Sequence, residues 1–384
     1  MNTRPLIETP NEHAALSVTF NSDASRFVVG LDSGFCIFLS NSCQIQTSRV
    51  FNAGLGLVQM MGNANYLALV GGGRSPKFPQ NKVIIWDDSK GKIALEIATL
   101  TAVRGVQISK TRIAVVLQNS VRVYAFQKPP TPLAKYETAD NHLGLCCLSD
   151  KYLVFPGRTP GQVQVVQLET DSVSIIPAHS SSLRALQLSL DGDLLATASE
   201  KGTIVRIFAT SSCAKLAERR RGSESASIYS LRFSPSGDML ACTSDKGNLH
   251  IFDVPNPRRT RLASLHPPGL SGSSGGGSAI TEGKNKWGIL SNIPFGPFSD
   301  VYSFASTPFE TGEEPLLPGN SRALADCPVL GTSRPIKGVI GWIDEASLLV
   351  VGAGQDARWE KFVLREEDGR TVIFREGWKR YLGN

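Results

Sequence analysis

One unit returns along the whole chain, and that repetition limits the fold more than any single residue. An apolar strand is followed by a polar turn, a second strand rich in small residues, a short turn and a third strand. Two copies run nearly in parallel: "LRALQLSLDGDLLATASEKGTIVRIF" and "IYSLRFSPSGDMLACTSDKGNLHIF". The others are "LSVTFNSDASRFVVGLDSGFCIFLS", "VQMMGNANYLALVGGG" with "KVIIWDD", "VRGVQISKTRIAVVLQNSVRVYAF", "GLCCLSDKYLVFPGRTPGQVQVVQL" and the diverged "IKGVIGWIDEASLLVVGAGQDARWEKFVL", which makes seven. Repeats of about 40 residues with several short strands each mark the blades of a β-propeller. The turns "DGD", "SGD", "EKG" and "DKG" supply the positive-φ and side-chain-capped positions that tight hairpins require. A single blade cannot bury both of its faces, so stacking into a ring is the natural solution. The expectation is an all-β chain, one domain over 1–384, folded as a seven-bladed β-propeller. The N-terminal residues are expected to complete the last blade.

Composition agrees with a globular chain. Of 384 residues, 41% are hydrophobic and 19% charged, and 36 glycines and 22 prolines suit a turn-rich fold. The formal charge of +6 leans toward anionic partners. Seven cysteines, Cys36, Cys43, Cys146, Cys147, Cys213, Cys242 and Cys327, lie at irregular spacings without a CxxC pair. They read as buried free thiols of a reducing compartment. The N-terminus "MNTRPLIETPNEH" has no apolar secretory core, and no window approaches the roughly 18 apolar residues of a membrane span. The glycine run "GGGRSPK" at 71–77 lacks the Gly-Lys-Ser/Thr ending of a phosphate loop and reads as a turn or partner-docking loop.

Two features interrupt the pattern. Residues 267–283 are rich in Gly and Ser and are expected to be mobile. They lead into Trp287, Ile289, Leu290, Ile293, Phe295 and Phe298, broken by Pro294 and Pro297, with Arg258, Arg259 and Arg261 on the other side. A long basic and apolar loop of this kind suits insertion at a membrane surface. The second feature is the run Arg219-Arg220-Arg221-Gly222, on the outer strand of the fifth blade. Side chains alternate along a strand, so Arg220 and Arg221 should face opposite grooves, each able to fork onto a phosphate. Candidate partners of Arg220 are His179, Ser199, Lys201, Thr203 and Arg206; those of Arg221 are Ser227, Ser230, Thr243, Ser244, Lys246 and His250. The matching "TASEKGT" and "TSDKGN" segments suit duplicated blades with duplicated anion pockets.

These residues resemble the PROPPIN family, the phosphoinositide-binding propellers of autophagy, whose motif is Phe/Leu-Arg-Arg-Gly. Arg220, Arg221 and Gly222 match its last three positions, and Arg219 stands where Phe or Leu is expected. The segments "LVGGGRSPKFPQNKVIIWDD" and "FSDVYSFA" resemble the family too, nearest its compact branch. The resemblance implies a non-enzymatic module that binds phosphatidylinositol 3-phosphate and phosphatidylinositol 3,5-bisphosphate through two rim sites. It implies that residues 258–298, between the third and fourth strands of the sixth blade, enter the bilayer. It also implies an autophagy lipid-transfer partner, contacted around Asn81 to Asp88, with no cofactor and no nucleic acid. The location implied is cytoplasmic and peripheral on phagophore, endosome or vacuole membranes. A generic WD-type protein scaffold is the alternative, but its Trp-Asp punctuation appears only at Trp86-Asp87. An enzyme would need a catalytic triad, paired carboxylates or a metal cluster, and the sequence offers none that repeats.

Overall fold

The computed structural model describes residues 14–255, 302–311, 337–354 and 356–382. Every regular element among them is a strand, and the 28 strands form seven four-stranded antiparallel sheets. Blade one is β1 (Ala15–Phe20), β2 (Arg26–Leu31), β3 (Gly34–Leu39) and β4 (Ile45–Val50). Blade two runs β5 (Leu55–Met60) to β8 (Lys92–Ala98), and blade three β9 (Gly105–Ile108), β10 (Arg112–Val116), β11 (Ser120–Ala125) and β12 (Pro132–Glu137). Blade four spans β13 (Cys147–Leu148) to β16 (Ser172–Pro177). Blade five is β17 (Leu183–Leu188), β18 (Leu194–Ser199), β19 (Ile204–Ala209) and β20 (Lys215–Arg220). Blade six is β21 (Ile228–Phe233), β22 (Met239–Ser244), β23 (Asn248–Asp253) and β24 (Ala305–Pro308), and blade seven β25 (Val339–Trp342) to β28 (Arg370–Arg380). The chain is thus a seven-bladed β-propeller.

Burial follows from strand alternation. The middle strands of each blade are hydrophobic on both faces because each face meets a neighbouring blade. β18 reads LLATAS and is buried at every position, whereas the outer β16 reads SVSIIP and is exposed at all but one. The core is accordingly divided. Seven hydrophobic clusters each join two adjacent blades, one for every junction of the ring.

The ring closes in a way that corrects one expectation. The seventh sheet takes all four strands from β25–β28, and the described N-terminal residues add none to it. Ala15 and Gly354 instead exchange two backbone hydrogen bonds, at 3.1 and 2.8 Å. Trp359 Nε1 donates to the Ser40 carbonyl at 2.9 Å, and the Tyr381 ring packs edge-on against Phe27 and Phe38. β1 pairs fully with β2, so its edge already has a partner within blade one.

Other expectations meet the structure directly. The stretch at 71–77 folds back on the start of blade two: Gly54 N donates to the Ser75 carbonyl at 2.7 Å and Lys77 N to that of Gly54 at 2.9 Å. All six described cysteines are free. Cys146 packs between blades three and four and Cys147 between blades four and five, so the neighbouring thiols diverge. The insertion lies between β23 and β24 in sequence. Arg258, Arg259, Arg261, Trp287, Ile289, Leu290, Ile293, Phe295 and Phe298 lie outside the described residues, as does Cys327.

Candidate functional site: the two grooves flanking β20

β20 forms the outer edge of blade five, and its side chains divide between two grooves. Its register pairs Arg206 with Glu218 and Val205 with Arg219. Val205 belongs to the cluster shared with blade six, while Phe208, two residues beyond Arg206, belongs to the cluster shared with blade four. Alternation therefore sends Glu218 and Arg220 toward blade four and Arg219 toward blade six. Arg219 Nε donates to the Asp253 carbonyl of blade six at 2.9 Å.

The groove between blades four and five gathers His179, Thr197, Arg206, Glu218 and Arg220. Arg206 is already engaged: its Nε meets Glu218 Oε2 at 2.8 Å and one terminal nitrogen donates to the Ala178 carbonyl at 2.6 Å. His179 bridges this pair to the hydroxyl of Thr197, with Nε2 at 3.0 Å from Thr197 Oγ1. Its backbone N donates to the Gly161 carbonyl at 2.9 Å. Gly161 has φ 81°, and a Cβ there would lie 2.0 Å from the His179 carbonyl, so only glycine admits this approach. Burial, with the Arg206 charge adding to it, lowers the His179 pKa to about 4. The hydrogen bond from Arg206, ahead of other effects, lowers that of Glu218. The imidazole is thus neutral and the carboxylate charged at neutral pH. Among the described residues the Arg220 guanidinium makes no side-chain hydrogen bond or ion pair. Ser199 is buried at the end of β18, and Lys201 is exposed in the β18–β19 turn.

The groove between blades five and six gathers Arg221, His250, Ser244, Ser227 and Lys246. Arg221 is buried, donating from Nε to the Gly202 carbonyl at 2.8 Å and from a terminal nitrogen to the Glu224 carbonyl. Its backbone N donates to the Thr203 carbonyl at 2.9 Å, so Thr203 stands opposite Arg221 rather than beside Arg220. His250 Nδ1 lies 3.1 Å from Ser303 Oγ, while its Nε2 is buried without a partner among the described residues. Burial, and then the Arg221 charge, lowers the His250 pKa to about 4. Ser244 is fully buried, and Lys246 Nζ reaches Glu224 Oε2 at 3.2 Å. Ser227 trades hydrogen bonds with Asp245: its N–H reaches Asp245 Oδ1 and its carbonyl accepts from the Asp245 N–H, both at 3.0 Å.

Two candidates are not brought to Arg221. Thr243 Oγ1 donates to the Gly338 carbonyl at 2.6 Å, and Ser230 Oγ accepts from Ile340 N at 3.2 Å. Both face blade seven. For Ser230 the reason is a register shift in β21 between Ile228 and Ser230. Thr243 faces blade seven by plain alternation, next to Cys242, which packs toward blade five. Sequence reasoning in turn missed Thr197, Glu218 and Ser303. Glu218 was detectable, since it lies two residues before Arg220 and must share its face. Ser303 was not, because nothing local aligns β24 with β23.

Neither Arg220 nor Arg221 has a carboxylate within ion-pair distance among the described residues. A buried guanidinium satisfied only by carbonyls retains its full charge in a poorly polarisable setting. The arrangement can accept an anion in each groove. No three His, Cys, Asp or Glu side chains among the described residues converge as a metal ion would require.

Comparison with known proteins then decides the relationship. The sequence profile of the PROPPIN family matches residues 14–275. This chain belongs to the PROPPIN family. SVP1-like protein 2 of Emericella nidulans is 57% identical over 331 residues, covering 85% of this chain and 99% of that protein. Autophagy-related protein 18e of Arabidopsis thaliana is 36% identical over 277 residues, covering 70% of this chain and 72% of its own. The solved structure of Kluyveromyces lactis Hsv2 aligns with TM-score 0.74 at 21% identity, over 96% of this chain and 99% of that one. KlAtg21, solved in complex with the coiled coil of AgAtg16, aligns with TM-score 0.64 at 17% identity, over 96% and 99%. These two likenesses concern the fold. This PROPPIN thus has an autophagy-related relative in Arabidopsis thaliana.

Proposed function

We propose that this PROPPIN is a membrane-recruitment module that binds phosphatidylinositol 3-phosphate and phosphatidylinositol 3,5-bisphosphate through the two grooves flanking β20. The observation that carries this reading is the alternation of Arg220 and Arg221 into separate grooves, each with a neutral buried histidine and no carboxylate on its arginine. A phosphate offers each guanidinium the paired acceptors it lacks. Lys201 and Lys246, on the equivalent turns of blades five and six, add charge at the groove mouths. Glu218 sets the geometry of Arg206, so Arg206 acts as a positioning group and Arg220 as the free fork. Two weak sites on one rigid body gain avidity on a surface bearing many headgroups. The insertion at 258–298 adds bilayer contact beside them and places the protein peripherally on autophagic, endosomal or vacuolar membranes.

A protein partner completes the recruitment. The KlAtg21 complex holds a coiled coil, and an autophagy lipid-transfer protein contacting the strand around Asn81 to Asp88 is the partner proposed here. The test is flotation with vesicles containing each phosphoinositide. Wild-type protein should float with phosphatidylinositol 3-phosphate and phosphatidylinositol 3,5-bisphosphate, and Arg220→Thr should lose at least tenfold in apparent affinity, since one charge-assisted bond is worth about 1.5–3 kcal/mol. Flotation of Arg220→Thr equal to wild type would remove the groove from the lipid site.

A further inference from the structure

The register of blade five has a counterpart in blade three. Across β18–β20, Thr197, Arg206 and Glu218 stand side by side. Across β10–β12 the same positions hold Val115, Arg122 and Lys135. Ile204 and Arg220 correspond in turn to Ser120 and Glu137. Arg122 shares the face of Tyr124, which packs in the cluster between blades two and three. Blade three thus turns two cations into its preceding groove, where blade five turns Arg206 and Arg220 into its own.

That groove contains a cavity of ≈ 640 Å³ lined in part by Arg104, Ser120, Arg122, Lys135, Glu137 and Thr138. This volume lies within the range of small-molecule sites. Three cations there face one lining carboxylate, and Glu137 is drawn away toward Arg158 at 3.8 Å. A second carboxylate, Asp140, stands behind Gln118, which it holds at 2.8 Å while Gln118 Oε1 accepts from Arg104 at 3.3 Å. None of the three cations forms an ion pair among the described residues. Three cations against one lining carboxylate favour a ligand that is acceptor-rich and negative. A phosphate monoester, with three acceptor oxygens and nearly two charges, has that chemistry.

We infer that the groove between blades two and three is a third anion site, taking a phosphate monoester on a compact polyol. Arg104 and Arg122 donate to the phosphate from their terminal nitrogens, and Lys135 stands exposed at the mouth. The β10–β11 turn lines this cavity, and the corresponding β18–β19 turn carries Lys201, so both sites open toward the same end of the ring. They are separated by two blades, so this pocket does not depend on the lipid reading of Arg220 and Arg221.

The test is calorimetric titration of the full chain with inositol hexakisphosphate, in an Arg220→Thr/Arg221→Thr background that removes the other two grooves. Hydrogen exchange on the unmodified chain locates the ligand. The expected results are retained binding in that background, slower exchange in segments 100–105 and 117–138, and at least a tenfold affinity loss on adding Arg122→Gln. Lys135→Gln, at an exposed position, should weaken binding severalfold without touching the fold. Inorganic phosphate should compete weakly. Short-chain phosphatidylinositol 3-phosphate and free inositol 1,3-bisphosphate distinguish a lipid headgroup from a soluble source, and binding of either with the Arg122 dependence supports the site. Absence of binding in that background together with unchanged exchange at 117–138 in the unmodified chain overturns it. So does a groove that binds hexaglutamate through Arg122 and leaves inositol hexakisphosphate unbound, which would make it an acidic-protein contact.

Discussion

Arg220 and Arg221 are neighbours in sequence with unequal structural duties. Arg221 ties the β18–β19 turn at Gly202 to the chain at Glu224, and each charge-assisted bond is worth about 1.5–3 kcal/mol. Arg221→Thr should therefore lower the melting temperature by several degrees. Arg220→Thr should stay within about 0.5 kcal/mol of wild type, because its guanidinium makes no hydrogen bond or ion pair among the described residues and acts on Glu218 only at longer range. Scanning calorimetry of the two single variants separates these outcomes, and equal melting would contradict the assignment. The histidines add a pH dependence of definite sign. His179 and His250 have folded pKa values of about 4 against 6.5 when exposed. Between those values the unfolded chain binds more protons, so stability falls as pH drops from about 7 toward 4. At pH 5 the loss is on the order of 2 kcal/mol per histidine. Urea melts at pH 7.5 and pH 5 should reveal it, and a His179→Asn/His250→Asn variant should flatten the difference. A bound phosphate raises both pKa values, so a soluble inositol phosphate should protect more at pH 5 than at pH 7.5.

Along β20, alternation was the readable rule. It placed Arg220 and Arg221 on opposite faces, and the seven repeats were visible because hairpin turns and apolar strands repeat locally. The β21 bulge was not visible, since a single unpaired residue leaves no compositional trace, and it carried Ser230 to blade seven. Thr243 could have been placed there by alternation, because it adjoins Ser244 on one strand. Ring closure was equally hidden, because it depends on contacts more than 300 residues apart, such as Trp359 with Ser40. The motif glycine illustrates a third case. Gly222 carries no left-handed φ, and a Cβ there would meet nothing within 4 Å. No packing in the described chain demands glycine at this position, beside both arginines. Gly222→Val should accordingly leave thermal stability almost unchanged while weakening phosphoinositide binding in flotation. A variant that melts early and floats normally would point to a backbone role. Strand order fixes one more relation: Tyr302, the first described residue after the insertion, bridges through its backbone to Arg220. The chain leaving the insertion is thereby moored to the strand that bears the free arginine.

At the scale of the molecule, seven interblade clusters carry the hydrophobic stabilisation, with fully buried Phe27, Phe35, Phe38, Phe155, Phe252 and Phe362 each contributing roughly 1.5–3 kcal/mol. The junction between blades seven and one uses the same chemistry as the other six, supplemented by Trp359 Nε1 on the Ser40 carbonyl at 2.9 Å. Among the described residues no blade borrows a strand from the opposite end of the chain. Where the polypeptide starts and stops is therefore arbitrary with respect to the architecture, as it is for beads on a closed necklace. Joining position 382 to position 14 by a Gly/Ser linker and reopening the chain in the exposed β16 region around Ser174 costs only the entropy of closing one more loop. Such a circular permutant should fold and melt cooperatively, whereas a propeller latched by a shared strand would lose its latch when cut there. Circular dichroism and a calorimetric melt of the permutant check this, and a chain that remains unfolded would mean that order of synthesis, rather than the set of junctions, directs how the ring assembles. If the permutant folds, any of the seven junctions can serve as the seam, and gene rearrangement can move the ends without moving a single groove.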